Sequence, residues 1–185
     1  ISIDEEIISI FDFFKNNAQD SCKQPDSSGG EWFILPKSFS IESMDSFTIK
    51  SKKINKIFRQ YISEKVRKIN LADGKSIICT MNHKFLSENN MWVSSLKEND
   101  RVYVTKNSDL ELTAVASIEY FVYQGFVYDI EVPYSHCYVA NGIVTHNTAQ
   151  AIAWGFELMH NRMEAERCTI VTPGAVKTQF AREIE

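Results

Sequence analysis

From Glu31 to Val144, short runs rich in Ile, Val, Phe, Tyr and Thr alternate with turn residues, and this texture limits what the chain can fold into more than any other feature. The runs include Phe47-Thr-Ile-Lys, Lys75-Ser-Ile-Ile-Cys-Thr, Arg101-Val-Tyr-Val-Thr, Phe126-Val-Tyr-Asp-Ile-Glu-Val and Cys137-Tyr-Val-Ala. β-Branched and aromatic side chains suit a pleated, half-buried surface, so these runs read as strands. Turn residues separate them at Ala72-Asp73-Gly74 and Asn141-Gly142. The Asn-Gly pair sits between Tyr138-Val-Ala and Ile143-Val144 and predicts a tight hairpin, because both residues tolerate positive φ. The expectation is a mostly β domain of many short strands.

The flanks differ. Ile1 to Asn17 reads as a short strand and then a short helix, which Ser9 opens ahead of Ile10-Phe11-Asp12 in the manner of a capping box. Phe11, Phe13 and Phe14 are too apolar to be solvated. Asn17 to Gly30, with Pro25 and Gly29-Gly30, reads as a mobile surface loop. Beyond Asn147, residues Thr148 to Arg162 place Ala149, Ile152, Ala153, Phe156 and Met159 at helical spacing. Cys168-Thr-Ile-Val-Thr then reads as a buried strand ending at Pro173-Gly174, with another helix from Val176, an α/β texture. The abrupt change at 147/148 suggests two unrelated pieces, 1–147 and 148–185.

Bulk properties exclude several classes. A net charge of −4 makes the whole chain no binder of polyanions. No stretch approaches 18 apolar residues, so no membrane span is expected. Ile1-Ser-Ile-Asp-Glu-Glu is acidic where a signal peptide is basic, and with no initiator Met the chain is expected to begin in mid-protein or after processing. Cys22, Cys79, Cys137 and Cys168 form no CxxC pair. Cys79 with His83, or His136 with Cys137, has metal-ligand chemistry but not the usual spacing, so free thiols in a reducing cytosol are expected. Residues 50–70 are locally basic, with Glu64 as the counter-charge; a solvated strand or helix face is expected, and docking of an acidic partner is the alternative.

The chemistry concentrates at Val144-Thr145-His146-Asn147-Thr148. An Asn carboxamide can attack its own main-chain carbonyl, closing a succinimide and cutting the chain after itself. A neighbouring His can move the protons near neutral pH. Thr148 carries a hydroxyl able to accept an acyl group. Cleavage within hours needs a barrier of roughly 23 kcal/mol, against nearer 30 for a spontaneous amide break. Positioning and proton transfer can supply the difference, so no cofactor, metal or nucleotide is required.

Two longer stretches carry a resemblance. Phe126-Val-Tyr-Asp-Ile-Glu-Val, then His136, the Asn141-Gly142 hairpin and His146-Asn147, resembles the C-terminal splicing motif of inteins over more than twenty positions. Upstream, Asp73-Gly-Lys-Ser-Ile-Ile-Cys-Thr-Met-Asn-His, then Trp92-Val and Leu96-Lys-Glu-Asn-Asp-Arg-Val, resembles the intein block built around Thr-x-x-His. The resemblance implies an all-β Hint (hedgehog/intein) fold, a flattened horseshoe, for 1–147, followed by a short α/β extein fragment. It implies that Thr80 and His83 hold and polarise an upstream scissile amide. It makes Asp129 a proton carrier with a burial-raised pKa, and His136 the general base for Asn147. By the same resemblance His146 protonates the departing amine or steadies the oxyanion, Asn147 cyclises, and Thr148 is the acceptor.

Inteins begin with a Cys or Ser nucleophile, whereas this chain begins with Ile1. The expectation is a split element whose short N-terminal partner fragment brings that nucleophile and the N-extein; a truncated cis-splicing intein is the alternative. Thr148-Ala-Gln-Ala-Ile-Ala and Cys168-Thr-Ile-Val-Thr-Pro-Gly resemble superfamily 2 helicases of the Swi/Snf type, with terminase or recombinase ATPases open. Only the last residue of a phosphate loop would be present here, so nucleic acid is expected to be met only through the reassembled host. A hedgehog-type autoprocessing domain and, from another class, a DNA-dependent ATPase with a β accessory domain complete the readings.

Overall fold

The computed structural model describes residues 1–19, 22–26 and 29–146. Asn147, Thr148, Cys168 and the helix, strand and helix expected over 148–185 lie outside the described residues. The described residues form one compact unit built on a twelve-stranded, wholly antiparallel sheet. Its strands are β1 (Ser2–Ile3), β2 (Glu6–Ile7), β3 (Lys23–Pro25), β4 (Glu31–Asp45), β5 (Thr48–Leu71), β6 (Ser76–Thr80), β7 (Lys84–Leu86), β8 (Trp92–Val93), β9 (Arg101–Lys106), β10 (Asp109–Ile130), β11 (Cys137–Ala140) and β12 (Ile143–His146), with one helix, α1 (Ile10–Asn17). Hydrogen bonding links them in the order β2-β1-β4-β5-β10-β9-β12-β7-β8, with β3 on β4, β6 on β5 and β11 on β12.

The class is all-β, but the strands are not all short. β5 runs 24 residues and β10 runs 22, and they pair from Leu71↔Val115 to Ile57↔Ile130. Neither Gly125 nor Gln124 breaks β10, because the partner strand supplies a continuous ladder that local propensity does not report. Pro36 falls where β4 carries residues 35–38 against Asn55 alone, a bulge where a missing N–H costs little.

Several turns escaped the sequence reading. Asn141 (φ 51°) and Gly142 (φ 74°) form the expected hairpin. Asp4-Glu5, Ser46-Phe47 and Asn107-Ser108 also hold positive φ at both positions and contain no glycine. Asp4 Oδ1 accepts from the Ser40 N–H at 2.8 Å, which fixes the first of these. Phe47 therefore belongs to a turn, not to the strand expected to start with it. The stretch read as a surface loop also contains β3, registered Lys23↔Phe33 to Pro25↔Glu31. The opening segment is a β1–β2 hairpin rather than a single strand.

Helix α1 begins as expected, with the Ser9 hydroxyl accepting from the Asp12 N–H at 2.9 Å. Eight residues are too few for a stable isolated helix, so tertiary packing holds it. Phe13 stands edge-on to Phe39 at 5.0 Å and Phe14 edge-on to Phe33 at 4.9 Å. Each such buried ring contributes about 1.5–3 kcal/mol. Phe11 is instead half exposed and meets Tyr128 only at its edge. This helix covers one core with Ile41, Ile54, Ile57, Ile130 and Tyr138; a second core joins Ile69, Phe85, Val102, Val115 and Ile143.

The basic stretch 50–70 is the central strand β5, and it is not simply a solvated face. Lys50 and Lys52 pair with Asp45, Lys56 with Glu131, and Arg59 with Glu31. Arg67 is 2% exposed, the largest fully buried side chain among the described residues.

Candidate active site

Three strand ends bring the chemistry together. β6 ends at Thr80, and a turn through Met81 and Asn82 leads to His83, whose N–H donates to the Thr80 carbonyl at 3.3 Å. β12 ends at His146, registered opposite Lys84 on one side and Cys137 on the other. Asp129 is the next-to-last residue of β10. Pairing of β12 with both β7 and β11 places His146 beside the residues that follow His83 and His136 in sequence. His136, Asp129 and His83 precede His146 by 10, 17 and 63 residues, so only the antiparallel registers assemble them.

The histidine just before β7, His83, and the one that ends β12, His146, are both kept neutral. Burial, then the Arg67 charge, then His146 hold His83 down to about 4. Burial, then Lys84 and His136, hold His146 down to about 4. His83 lies edge-on to Phe85 at 5.3 Å, and His146 edge-on to Trp92 at 4.7 Å. Among the described residues His83 Nε2 and His146 Nδ1 are buried without a hydrogen-bond partner. Buried polar atoms are ordinarily satisfied, so two orphaned imidazole nitrogens mark this end of β12 as unusual.

Asp129 has the opposite displacement. Burial drives its carboxyl up to about 7, against hydrogen bonds from the Ile130 N–H at 2.8 Å and the Tyr138 hydroxyl at 3.0 Å. A carboxyl that titrates near neutrality can both take and give a proton. Tyr138 in turn accepts at its carbonyl from Thr145 Oγ1, at 3.0 Å and fully buried. This chain of bonds runs from Asp129 to the residue before His146. His136 adopts a left-handed backbone (φ 50°), and its N–H donates to the Val132 carbonyl at 3.2 Å. Among the described residues no three His, Cys, Asp or Glu side chains gather in a way that could hold a metal ion, and no helix is long and apolar enough to cross a membrane.

The structure thus places His83, His146, His136 and Asp129 around the end of β12, with Thr80 joined through its carbonyl. Asn147 and Thr148 lie outside the described residues. Tyr138 and Arg67 are not foreseen by the sequence, which singles out Cys79 only as a metal-ligand type beside His83 and Trp92 only within the Thr-x-x-His block. Tyr138 looked like one more strand residue, since period-two patterning does not say what a hydroxyl reaches. Arg67 looked like one more surface cation. Its guanidinium donates to the carbonyls of Ser94 and His83, and its charge acts on the thiol of Cys79, its register partner on β6. Cys79 forms no disulfide, and burial pushes its thiol up.

No protein-family model matches the chain. It is 29% identical over 147 residues to an uncharacterised protein of Methanocaldococcus jannaschii, a match that takes in 76% of this chain and 20% of that protein. The chain thus spans about a fifth of the curated relative it matches. Solved structures similar to it are inteins. The TvoVMA intein is 26% identical, with a TM-score of 0.69 over 78% of this chain and 91% of that one. The PabCDC21-1 intein is 19% identical, with a TM-score of 0.66 over 76% and 89%. A KlbA intein precursor from Methanococcus jannaschii is 22% identical, with a TM-score of 0.63 over 77% and 84%. The fold is the all-β Hint fold of inteins, and these likenesses support a protein-splicing domain.

Proposed function

We propose that residues 1–147 excise themselves from a precursor by protein splicing, with 148–185 as the start of the downstream extein. One observation carries the reading: Asp129, His83, His136 and His146 gather at the end of β12, one residue before Asn147. In the proposed sequence a Cys or Ser nucleophile attacks the carbonyl before it, forming an ester or thioester and freeing its own amine. The Thr148 hydroxyl takes over that acyl group. The Asn147 amide nitrogen then attacks its own carbonyl, the C–N bond to Thr148 breaks, and the amine leaves with a proton. The freed Thr148 amine finally displaces its own ester oxygen to give an ordinary peptide bond.

The residue chemistry supports definite roles. Neutral His83 can donate from one ring nitrogen and accept at the other, which suits holding a peptide amide together with Thr80. Asp129, titrating near 7, is the proton carrier between the first nucleophile and Thr148. His136 is the base for Asn147. With its proton affinity held low, His146 suits donation of a hydrogen bond to the oxyanion better than delivery of a proton.

In the fuller proposal the first nucleophile arrives in trans, on a short N-terminal partner; the same segment on one continuous chain is the cis alternative. The downstream extein is taken as part of a helicase-like ATPase, whose phosphate loop regains its Lys-Thr step only on ligation. Intact-mass measurement of the purified chain, alone and with a partner fused to a reporter, tests all of this. Release of 148–185 on its own shows Asn147 cleavage. Its reappearance joined to the reporter shows ligation in trans. Cleavage with no ligation to any partner leaves the hedgehog-type reading, and an intact chain under every condition removes the proposal.

A further inference from the structure

Arg67 is a cation held inside the protein, and its surroundings are unusual. The residue is 2% exposed and has no carboxylate partner among the described residues. Removing a guanidinium from water without a counter-ion is costly, and a sequence keeps such a group only where its bonds and charge are used. Its Nη2 donates to the His83 carbonyl at 2.9 Å, and its Nη1 donates to the Ser94 carbonyl. Its third polar neighbour is the Cys79 thiol on β6, and its cation lies 5.8 Å from the Phe85 ring. Three elements therefore meet on one side chain: the strand that ends in Thr80, the turn that carries His83, and the segment after β8.

We infer that Arg67 is the positioning residue for His83: it fixes the main chain of the Thr80–His83 turn through the His83 carbonyl and sets its positive charge beside that residue. This rests on the splicing reading for its use, but not for its chemistry. The geometry has two separable parts. The planar fork reaches two carbonyls at once, which an ammonium group cannot reproduce, while the positive charge survives a change to Lys. The groups that act on His83 are Arg67 from β5 and His146 from β12, with the Phe85 ring against it from β7. His146 is itself faced by Lys84 and His136, so among the described residues Arg67 is the one permanently charged group that acts directly on His83. Burial is the larger cause that keeps the His83 imidazole neutral, and the Arg67 charge adds to it.

The test compares wild type, Arg67→Lys and Arg67→Met by two readouts. The first follows the His83 imidazole by NMR titration in the whole chain carrying Asn147→Ala, with no partner present. Wild type titrates near 4, and Arg67→Met moves the midpoint up, short of the ordinary 6.5 because burial remains, while Arg67→Lys stays close to wild type. The second follows thiol-induced cleavage at the upstream junction after a partner is added. Wild type sets the reference profile, since Asp129 itself titrates near 7 within this window. In Arg67→Met the rate relative to wild type falls further at pH 6 than at pH 8, by no more than about fourfold, the limit set by an imidazole of ordinary affinity that is then about a quarter neutral. In Arg67→Lys the rate is lowered by a constant factor with no new pH dependence, because only the fork is lost. Identical His83 midpoints in wild type and Arg67→Met overturn the inference, provided both give folded spectra. An Arg67→Met protein that does not fold leaves Arg67→Lys to decide: a rate equal to wild type at every pH denies the fork any role. If wild type neither cleaves nor splices, the splicing reading fails, while the titration still reports whether Arg67 governs His83.

Discussion

Asp129→Asn should make the protein more stable in base while abolishing its chemistry. The carboxyl titrates near 7 in the folded chain against an ordinary value of 3.8, and burial is the main cause. Its folded-state affinity is therefore raised. The stability linked to it is fully present below 3.8 and is lost as pH rises through 7, because the folded state must either keep a proton that the solvent no longer supplies or bury a charge. At about 1.36 kcal/mol per pH unit, this linkage removes roughly 1.5 kcal/mol by pH 5 and roughly 4 kcal/mol by pH 8. Asn has nearly the same shape. Its oxygen can still accept from the Tyr138 hydroxyl and the Ile130 N–H, and it does not titrate. The stability difference between Asp129→Asn and wild type should therefore grow by roughly 2–3 kcal/mol in favour of the variant between pH 5 and pH 8. Urea denaturation at both pH values measures it, with both proteins carrying Asn147→Ala so that neither is cleaved. Comparing the two proteins at each pH is essential, because His83 and His146 impose the opposite trend. Their folded affinities are depressed to about 4, so their contribution is present above 6.5 and lost as pH falls through 4. An Asn-minus-Asp difference that is the same at pH 5 and pH 8 would refute the assignment of Asp129 as a buried carboxyl destabilised by its charge.

Other substitutions probe neighbouring parts of the same argument. Tyr138→Phe deletes the hydroxyl that steadies ionised Asp129, so the pH at which any Asp129-dependent cleavage half-develops should rise by about one to two pH units, as the loss of a hydrogen bond to a charge predicts; an unshifted pH–rate profile counts against that bond. Asn147→Ala should stop release of 148–185 without changing the thermal melting curve, and release at the wild-type speed in an intact-mass time course would remove Asn147 from the mechanism. Gly142→Ala places a Cβ on a residue at φ 74°, 2.6 Å from Lys75 Cε, and should cost about 1–2 kcal/mol in denaturant while leaving the cleavage products unchanged. Phe14→Ala should cost about 3–5 kcal/mol, since the ring packs on Phe33 and Tyr128 in the core under α1.

Local chemistry made part of this protein legible. Runs of β-branched and aromatic residues report strands whatever their partners. The Asn141-Gly142 pair reports its own hairpin, and Ser9 reports the start of α1, because each effect is confined to a few neighbouring residues. The same locality explains the misplaced turns. Asp4-Glu5, Ser46-Phe47 and Asn107-Ser108 hold positive φ without glycine because the paired strands around them impose it. It also explains β3, whose Lys-Gln-Pro has no strand propensity and is ordered by Trp32 and Phe33 across the ladder.

The candidate site divides the same way. His83, Asp129, His136 and His146 stood out in the sequence because their residue types and spacings match a splicing motif. That they meet was decided by register: Asp129 reaches Tyr138 across the sheet, and His146 lies opposite both Lys84 and Cys137. Their proton affinities were decided there too, since burial depends on what packs above a side chain and not on what precedes it. Arg67 is the sharpest case. Within Glu64-Lys-Val-Arg-Lys it is one charge among several, and nothing local distinguishes it from Lys65 or Lys68. Only when β6 and the His83 turn fold over β5 does that one cation lose its water and take hold of the His83 carbonyl.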